Sequence, residues 1–587
     1  MKQYLATTAL SEIWDTKGQV LLLGPWCLSG ANKGLLEGRD YELLPSPWKP
    51  ALKLKEAADY CYAVYLDLLK EIAGEFNHLH GVSYPPKYWQ TLAGPWLLSF
   101  IKIVYERYKR IENSVRLFPD AYTHVLAAEC CDLATYDTRE FMADRINSDA
   151  YNFKIFSLAN YALRPRNLIT IEGVPETKSL RTQYIPNLKT RIFNAITKNL
   201  FSGSSTVLVD MYHLRNIDRL SLTLRSGVGF TDFFDTQRLF PQEAVYEPSL
   251  RKKIKLTGSG DRFRDFINRI IPSAIPKCYI EDFKKFHEYM PVVKRSGRNV
   301  RAVGSAVGWF YNEMFKFFAA QLSGGDTKFI EFQHGGGYGL FLSTLQERTA
   351  KEKDVFYTWG INPENDRREA YLPSPHLSRL KDTYCPKDER VLFISMGVPR
   401  YAYRFSTFLQ PEDMPRYFED ERIFIGSLQK DLFKQFLYRP YPIDYGWGQI
   451  KALEGLFPGI QVLKDGDLME YLKRVRLTVI NHPHTSFLEA LVINVPSIFY
   501  WDHSVYLMRE GSEEYLEPLR KAGVLYRDPK AAAEKANQVY AHPLDWWLSP
   551  EVQKAREHFC RRYAYADQDW LKAWSNELGK YGKNTNA

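Results

Sequence analysis

The sequence has few cysteines and no cysteine pattern. Seven Cys are scattered over 587 residues without CxxC spacing. An odd, dispersed set excludes a disulfide framework and indicates a reducing compartment, in which thiols serve as small buried apolar groups.

Long apolar runs are also missing. The apolar stretch from Pro95 to Tyr108 is short and is interrupted by Lys102. No segment approaches the ~20 apolar residues that a membrane-spanning helix needs. The first residues, MKQYLATTALSEIWDTKGQ, carry acidic side chains and no continuous apolar core, which argues against a secretory signal. We therefore expect a cytoplasmic protein, with at most peripheral contact with the inner membrane.

A strong charge of one sign is absent as well. The 78 Lys and Arg exceed the 69 Asp and Glu by a net charge of +9, and no Lys/Arg block occurs. A nucleic-acid binder is expected to carry a concentrated basic footprint, so no nucleic-acid partner is predicted. The mild positive excess favours an anionic small substrate or loose contact with an acidic membrane surface. The oligomeric state stays open.

What the sequence does contain is an alternation of short apolar segments and helical patterns. This order predicts parallel α/β domains, which we place at 1–386 and 387–545. The first domain is predicted to carry a helical insertion at about 51–162, and Trp-rich helices at 546–587 to pack back across the domains. In the second domain MPRYFEDERIFIGSL and RLTVI are each predicted to contain a strand. Two Rossmann-like domains in series predict a ligand cleft between them.

The turn NHPHTSFLEAL, which begins at Asn481, has three interpretations. Strand alternation would point His482 and His484 to opposite faces, and no further ligand is nearby, so no metal site is predicted. Thr485 or Ser486 could cap the next helix, with Glu489 completing a capping box. The helix N-terminus could also bind phosphate, with His482 and a hydroxyl as donors and Glu489 facing a ribose.

A second turn, IEFQHGGGYG, begins at Ile330 and follows a predicted strand. His334 ends that strand, and the glycines allow a ligand to approach the backbone closely. The alternative is a glycine-rich turn with a surface His. The predicted glycine-rich site residues are Gly335, Gly336 and Gly337.

Arginines and carboxylates supply the remaining candidates. Arg400, Arg404 and Arg439 lie near predicted strand ends, where they would suit phosphate or carboxylate, or else be solvated charges. Asp210 ends the strand STVLVD, and Glu313 lies in the helix before the glycine-rich turn. Each is a candidate base or nucleophile, with a turn residue or an exposed helical carboxylate as the alternative.

These motifs resemble known families. His482-Pro483 followed by Thr485 and Ser486 resembles the His-Pro motif of GT-B glycosyltransferases that use CMP-activated acidic sugars, the bacterial sialyltransferases and Kdo transferases. QHGGGYG followed by a strand at 354–360 resembles capsule and teichoic-acid polymer transferases. Together with LLLGPWC, YRPYP and DYGW, most of the chain resembles a bacterial family of transferases encoded in O-antigen and other surface-polysaccharide loci.

The resemblance implies a GT-B fold, with two Rossmann-like domains facing a cleft. It implies transfer of a nonulosonic acid or Kdo-like sugar, with pseudaminic acid favoured, from a CMP-activated donor to a capsule or O-antigen glycan, including a lipid-linked one. No cofactor is expected. The candidate catalytic residues are Asp210, Glu313 and His334. The candidate donor-binding residues are His482, Pro483, Thr485, Ser486, Glu489, Arg400, Arg404, Arg439 and Ser395.

Two alternatives remain. One is a transferase with another nucleotide donor, such as a UDP-sugar or a CDP-linked polyol. The other is a non-catalytic binding protein of polysaccharide assembly.

Overall fold

Parallel sheets organise the molecule. The computed structural model describes residues 2–30, 32–164, 167–174, 206–230, 244–294, 300–360 and 366–582. Residues 204 and 205, the first two of the predicted strand segment SSTVLVDMYH, and 583–587 of the predicted tail lie outside these ranges. In the described part of the chain the strands form an N-terminal, a middle and a C-terminal sheet. The predicted first domain therefore contains two sheets rather than one.

The N-terminal sheet was not predicted as a separate sheet, although the apolar run in GQVLLLGPWCLSG was predicted as a strand and forms its second strand. Its strands are β1 (Gln3–Ala6), β2 (Gln19–Leu22), β3 (Tyr41–Leu43), β4 (Thr123–Leu126) and β5 (Leu168–Ile171). The order β3-β2-β1 continues into β4-β5 because the Leu5 amide donates to the Tyr122 carbonyl at 2.8 Å beside a parallel bridge. Strand β4 lies inside the predicted helical insertion, which is thus interrupted. We call residues 2–174 the N-terminal unit.

The middle sheet is parallel throughout. Its strands are β6 (Thr206–Leu208), β7 (Gly229–Phe230), β8 (Ala302–Ser305), β9 (Lys328–Phe332), β10 (Val355–Thr358) and β11 (Glu369–Tyr371). The order β11-β10-β9-β8-β6-β7 reverses direction between β6 and β8. Ligands of such sheets bind at the carboxyl ends of the strands where the order reverses.

The C-terminal sheet begins at the predicted domain boundary. Its strands are β12 (Asp388–Ile394), β13 (Phe436–Arg439), β14 (Gln461–Val462), β15 (Val475–Ile480), β16 (Ser497–Tyr500) and β17 (Leu525–Tyr526). The order β14-β13-β12-β15-β16-β17 reverses between β12 and β15. This is the strand order of a doubly wound dinucleotide-binding sheet.

Helices cover the sheets. In the described residues they are α1 (Asn32–Leu36), α2 (Leu52–His80), α3 (Pro86–Leu92), α4 (Gly94–Leu117), α5 (Thr138–Glu140), α6 (Asp149–Leu163), α7 (Asn216–Ser226), α8 (Pro248–Arg251), α9 (Arg262–Ala274), α10 (Phe283–Lys294), α11 (Gly308–Tyr311), α12 (Glu313–Ala320), α13 (Leu345–Ala350), α14 (Pro375–Leu380), α15 (Met414–Gly426), α16 (Lys430–Lys434), α17 (Gln449–Leu456), α18 (Leu468–Leu472), α19 (Thr485–Ile493), α20 (Glu513–Lys521), α21 (Pro529–Val539), α22 (Pro543–Trp547), α23 (Pro550–Tyr563) and α24 (Trp570–Gly582). Helix α15 replaces the strand predicted in MPRYFEDERIFIGSL. Its buried Met414, Tyr417, Glu421 and Phe424 recur at helical spacing, and Pro415 suits a first turn.

The last helices return to earlier parts of the chain. Helix α23 packs on α19 and α20, whereas α24 packs on α7 of the middle sheet. Trp574 of α24 lies 5.7 Å from Phe332 and 5.1 Å from Tyr357 between ring centroids. The chain end therefore spans from the C-terminal sheet to the middle sheet. Among the described helices, none combines the length and apolarity needed to cross a bilayer.

Candidate functional site

A cavity of about 410 Å³ opens at the carboxyl ends of β12 and β15. Its walls are the loop after β12, the segment after β13 and the turn after β15. Because β12 and β15 are the strands between which the order reverses, the cavity occupies the ligand position of a doubly wound sheet. Among the predicted donor residues it is lined by Ser395, Arg404, Arg439, His482, Thr485 and Ser486.

The turn after β15 leaves the start of α19 uncapped. The helix begins at Thr485, and His484 is its N-cap residue without a side-chain capping bond. The predicted capping box is therefore wrong, because Thr485 and Ser486 occupy the first helical positions and Glu489 bonds elsewhere. Its Oε1 lies 2.8 Å from the His376 Nε2. Uncapped amides at a helix start are free to bind an anion.

Both imidazoles of the turn face the same cavity. Strand β15 ends at Ile480, so strand alternation does not reach His482 and His484, and the predicted opposite orientation is wrong. Their ring centroids are 5.6 Å apart. Burial lowers the pKa of His482 to about 3, so this ring is neutral at physiological pH. Its Nδ1 and the Nε2 of His484 lack a hydrogen-bond partner among the described residues. Pro483 is buried between them and does not line the cavity.

The cavity is cationic. No Asp or Glu of the described residues lines it, whereas Arg404 and Arg439 do. Arg439 donates to the carbonyls of Asp465 and Gly466 at 2.9 and 3.0 Å, which holds it at the rim. Arg404 lies over Phe408, 4.6 Å from its ring centroid, and no carboxylate of the described residues lines the cavity beside it. An unpaired guanidinium beside uncapped amides suits an anionic ligand.

Ser395 lines the cavity and is held by a buried carboxylate outside the lining. Its hydroxyl donates to the Glu421 carboxylate at 2.5 Å, and that carboxylate also accepts from Asn481 and Tyr438 at 3.0 Å each. Burial raises the pKa of Glu421 to about 7. Arg400, by contrast, does not reach the cavity, because it donates to Asp149 at 2.7 Å.

The glycine-rich turn meets the helix start directly. The Gly336 amide donates to the Thr485 hydroxyl at 2.9 Å. A Cβ atom at Gly336 would lie 2.9 Å from the His484 carbonyl carbon and from the Thr485 nitrogen. The glycines were predicted to let a ligand approach the backbone closely. In the structure the turn at the start of α19 makes this close approach. Gly337 has a φ of +91°, and Gly335 also faces Thr485.

Asp210 and His334 come together at the carboxyl edge of the middle sheet. Asp210 accepts from the Ser305 hydroxyl and from the Ala306 amide at 3.3 Å. His334 bonds to the Ala306 backbone and, at 3.0 Å, to the Tyr338 hydroxyl. Burial raises the pKa of Asp210. Burial, followed by the nearby Arg404, lowers the pKa of His334 to about 4.

Glu313 is not brought to this edge. Its carboxylate accepts from the Thr138 amide at 2.9 Å and the Tyr279 hydroxyl at 2.8 Å, and it pairs with Lys316 at 2.9 Å. These partners satisfy it inside the helical core, 2% exposed.

Some cavity residues were not predicted. His484 was considered only as a metal ligand. Glu421, which binds the cavity residue Ser395 but does not line the cavity itself, was hidden in a segment predicted as a strand. Tyr403, Tyr441 and Tyr445 also line the cavity. The repeated Tyr in PRYAYRF, YRPYP and DYGW was the available signal for them. The described residues contain no group of three or more His, Cys, Asp or Glu side chains placed to hold a metal ion.

The sequence profile described as LIC12162 family transferase matches residues 3–578. The chain belongs to this family of transferases. No functionally curated protein matches it in sequence.

Solved structures give weaker likenesses. MurG of Acinetobacter baumannii is 13% identical over 64% of this chain and 99% of its own, at a TM-score of 0.33. An O-GlcNAc transferase mutant of Thermobaculum terrenum is 12% identical over 91% and 96%, at 0.31. Os79 from O. sativa, in complex with UDP, is 12% identical over 64% and 100%, at 0.32. The architecture of this LIC12162 family transferase contains two doubly wound parallel sheets, as in the predicted GT-B type, and the turns that follow β9 and β15 contact each other through Gly336 and Thr485.

Proposed function

We propose that this transferase moves a carboxylate-bearing sugar from a CMP-activated donor to a bacterial surface glycan. The donor sugar is of the nonulosonic acid or Kdo-like class, with pseudaminic acid favoured, and the acceptor belongs to a capsule or O-antigen, including its lipid-linked form. The supporting observation is a cationic cavity, free of acidic side chains among the described residues, at the start of an uncapped helix.

The helix start supports a phosphate. Thr485 and Ser486 are the first residues of α19 and lie beside the neutral His482. The unpartnered Nδ1 of His482 can donate a hydrogen bond to a phosphoryl oxygen in the tautomer that carries its proton there. When the bond between the anomeric carbon and the phosphate oxygen breaks, its electron pair passes to that oxygen. Preorganised donors stabilise the departing CMP electrostatically.

Arg404 supports a second anionic group on the donor. It lines the same cavity as the helix start, and the described residues offer it no carboxylate. A planar guanidinium binds a carboxylate through two parallel hydrogen bonds. A sugar acid would supply that carboxylate, whereas a neutral sugar would leave the guanidinium unpaired.

The middle sheet supplies the proposed base. Asp210 lies at the position where the order of that sheet reverses, and its raised pKa brings it closer to the working pH. The acceptor hydroxyl would lose its proton to the Asp210 carboxylate while its oxygen bonds to the anomeric carbon. His334, beside the same Ala306 backbone, would orient the acceptor.

The test separates donor binding from chemistry. CMP, UDP and CMP-N-acetylneuraminic acid are titrated by calorimetry against wild type and Arg404→Met. Arg422→Met is the control because Arg422 is exposed and pairs with Glu419 of the same helix, α15. We expect CMP to bind more tightly than UDP. Arg404→Met should weaken the CMP-sugar by about tenfold or more, and CMP itself by less.

Other results would redirect or overturn the proposal. Binding of UDP in preference to CMP would indicate another donor, and the absence of any nucleotide binding would overturn the donor site. Asp210→Asn should bind the CMP-sugar normally and hydrolyse it at least about 100-fold more slowly. Wild type that binds the CMP-sugar without ever turning it over would indicate a non-catalytic assembly protein.

A further inference from the structure

The N-terminal unit forms an α/β layer in addition to the middle and C-terminal sheets. Its strand order reverses between β1 and β4, which marks the ligand position of that sheet. The surrounding loops hold a piece of this same chain, Arg400 and Tyr401, from the loop after β12.

The contacts to Arg400 resemble those made to a bound ligand. Its backbone amide donates to the Asn147 side chain at 2.9 Å. Its guanidinium donates to the Ser29 hydroxyl at 3.0 Å and to the Asp149 carboxylate at 2.7 Å. Ser29 follows β2, and Asp149 begins α6.

Tyr401 is seated more deeply. Its hydroxyl donates to the second oxygen of Asp149, and its ring lies 5.0 Å from the Trp26 ring between centroids. The side chain is fully buried. Asp149 therefore binds two successive residues of the loop.

Helix α4 holds the same loop from a second side. The buried Arg107 donates to the Ala402 carbonyl. Arg110, also buried, pairs with Glu412 at 3.2 Å, and the Ser46 hydroxyl donates to Glu412 at 2.6 Å. The loop is thus tied to the N-terminal unit at both of its ends.

The tied loop is also a wall of the cavity. Tyr401, Ala402 and Arg404 belong to it and line the cavity directly. We propose that the N-terminal unit binds the loop 397–413 as an internal ligand and thereby positions this wall, with Asp149 and Arg107 as positioning residues. This rests on the proposed function insofar as the wall serves a nucleotide donor.

The physical reason is the cost of an unpaired buried charge. Removing the Asp149 carboxylate leaves the Arg400 guanidinium and the Tyr401 hydroxyl without their shared acceptor. The loop can recover solvation only by leaving its seat, and Arg404, three residues after Tyr401, moves with it.

The experiment compares Asp149→Asn with Glu281→Gln in the full chain. Glu281 forms a buried ion pair with Arg251 at 2.7 Å, with both side chains 2% exposed, and lines no part of the cavity. Hydrogen exchange of 397–413 and the dissociation constant for CMP are measured below both melting temperatures. Asp149→Asn should raise the exchange rate and weaken CMP by about tenfold, whereas Glu281→Gln should change neither, although it lowers the melting temperature.

The proposal is overturned if Asp149→Asn keeps the hydrogen-exchange rate of 397–413 and the CMP affinity of wild type. It is also overturned if Asp149→Asn and Glu281→Gln change these two quantities equally. If Asp149→Asn does not fold, Tyr401→Phe removes a single hydroxyl and should show the same effects at a few-fold size; wild-type exchange in that variant would again overturn it. If wild type binds no CMP, the proposed function fails, and the exchange measurement alone decides the role of the N-terminal unit.

Discussion

The hydrogen bond between Gly336 and Thr485 joins two turns that come from different sheets. It fixes the distance between the edge that carries Asp210 and His334 and the start of α19. A single glycine therefore controls how closely the turn after β9 approaches the start of α19, because any side chain there would contact the backbone of the opposite turn.

Gly336→Ala should push these turns apart. The new Cβ would lie 2.9 Å from two backbone atoms that cannot rotate away. We expect a loss of about 2 kcal/mol in the free energy of unfolding and weaker CMP binding, measured by denaturant titration and calorimetry. Gly324→Ala, where a Cβ meets no atom within 4 Å, is the control. A variant at 336 that is as stable as wild type would contradict this account.

Single residues were predictable where the motif itself makes the cavity. His482, Thr485 and Ser486 share one turn, so strand, turn and helix signals place them together. Arg400 and Glu489 were assigned to the donor, yet each bonds a partner far away in sequence, Asp149 and His376 respectively. Such pairings follow from tertiary packing, and no local pattern in one sequence encodes them.

At the scale of elements, β9 carries an uncompensated buried acid. Glu331 is 1% exposed, and neither carboxylate oxygen has a hydrogen-bond partner among the described residues. Burial raises its pKa to about 8. The native state therefore keeps this proton at neutral pH, whereas the unfolded chain releases it near the ordinary value for Glu.

Glu331→Gln should change how stability depends on pH. Between about pH 4.5 and 8 the native state of wild type binds more protons than the unfolded state, so its free energy of unfolding falls as the pH rises. The amide variant lacks this slope and should be the more stable protein at pH 8.5 by on the order of 1–3 kcal/mol. Denaturant titrations at pH 5, 7 and 8.5 measure it, with exposed Glu454→Gln as the control. If the free energy of unfolding depends on pH in the same way in wild type and Glu331→Gln, the raised pKa of Glu331 is contradicted.

Elements were predictable where strands and helices alternate regularly, as they do from β15 to β16. The N-terminal sheet was missed because β1 and β4 have four residues each and pair across more than a hundred residues. Strands this short carry no periodicity of their own. Helix α15 was taken for a strand because the apolar run IFI dominates its end, whereas the buried face also uses the polar Glu421.

At the scale of the whole molecule, α24 ties the chain end to the middle sheet. Trp574 is 4% exposed, packs on Phe332 and Tyr357, and donates its indole N–H to the Pro373 carbonyl at 2.7 Å. The middle sheet therefore depends on a helix that follows the C-terminal sheet in sequence.

Trp574→Ala should destabilise the middle sheet. Loss of a buried indole leaves a cavity and an unpaired carbonyl, which costs about 3–5 kcal/mol. Lys572→Ala, on the exposed face of the same helix, is the control for helix propensity. Denaturant titration monitored by hydrogen exchange should show earlier opening of β9 and β10 in the Trp variant. Uniform protection of these strands in both variants would show that α24 is dispensable for the sheet.

The position of α24 also sets an order for synthesis. Its Glu577 accepts a hydrogen bond from Tyr357, which lies 220 residues earlier in the chain. The ribosome therefore synthesises Tyr357 well before its partner. At roughly 5–20 residues per second, this interval lasts on the order of 10–45 s. For that time the face formed by Phe332 and Tyr357 lacks α24 and offers a nascent-chain chaperone an apolar surface to protect.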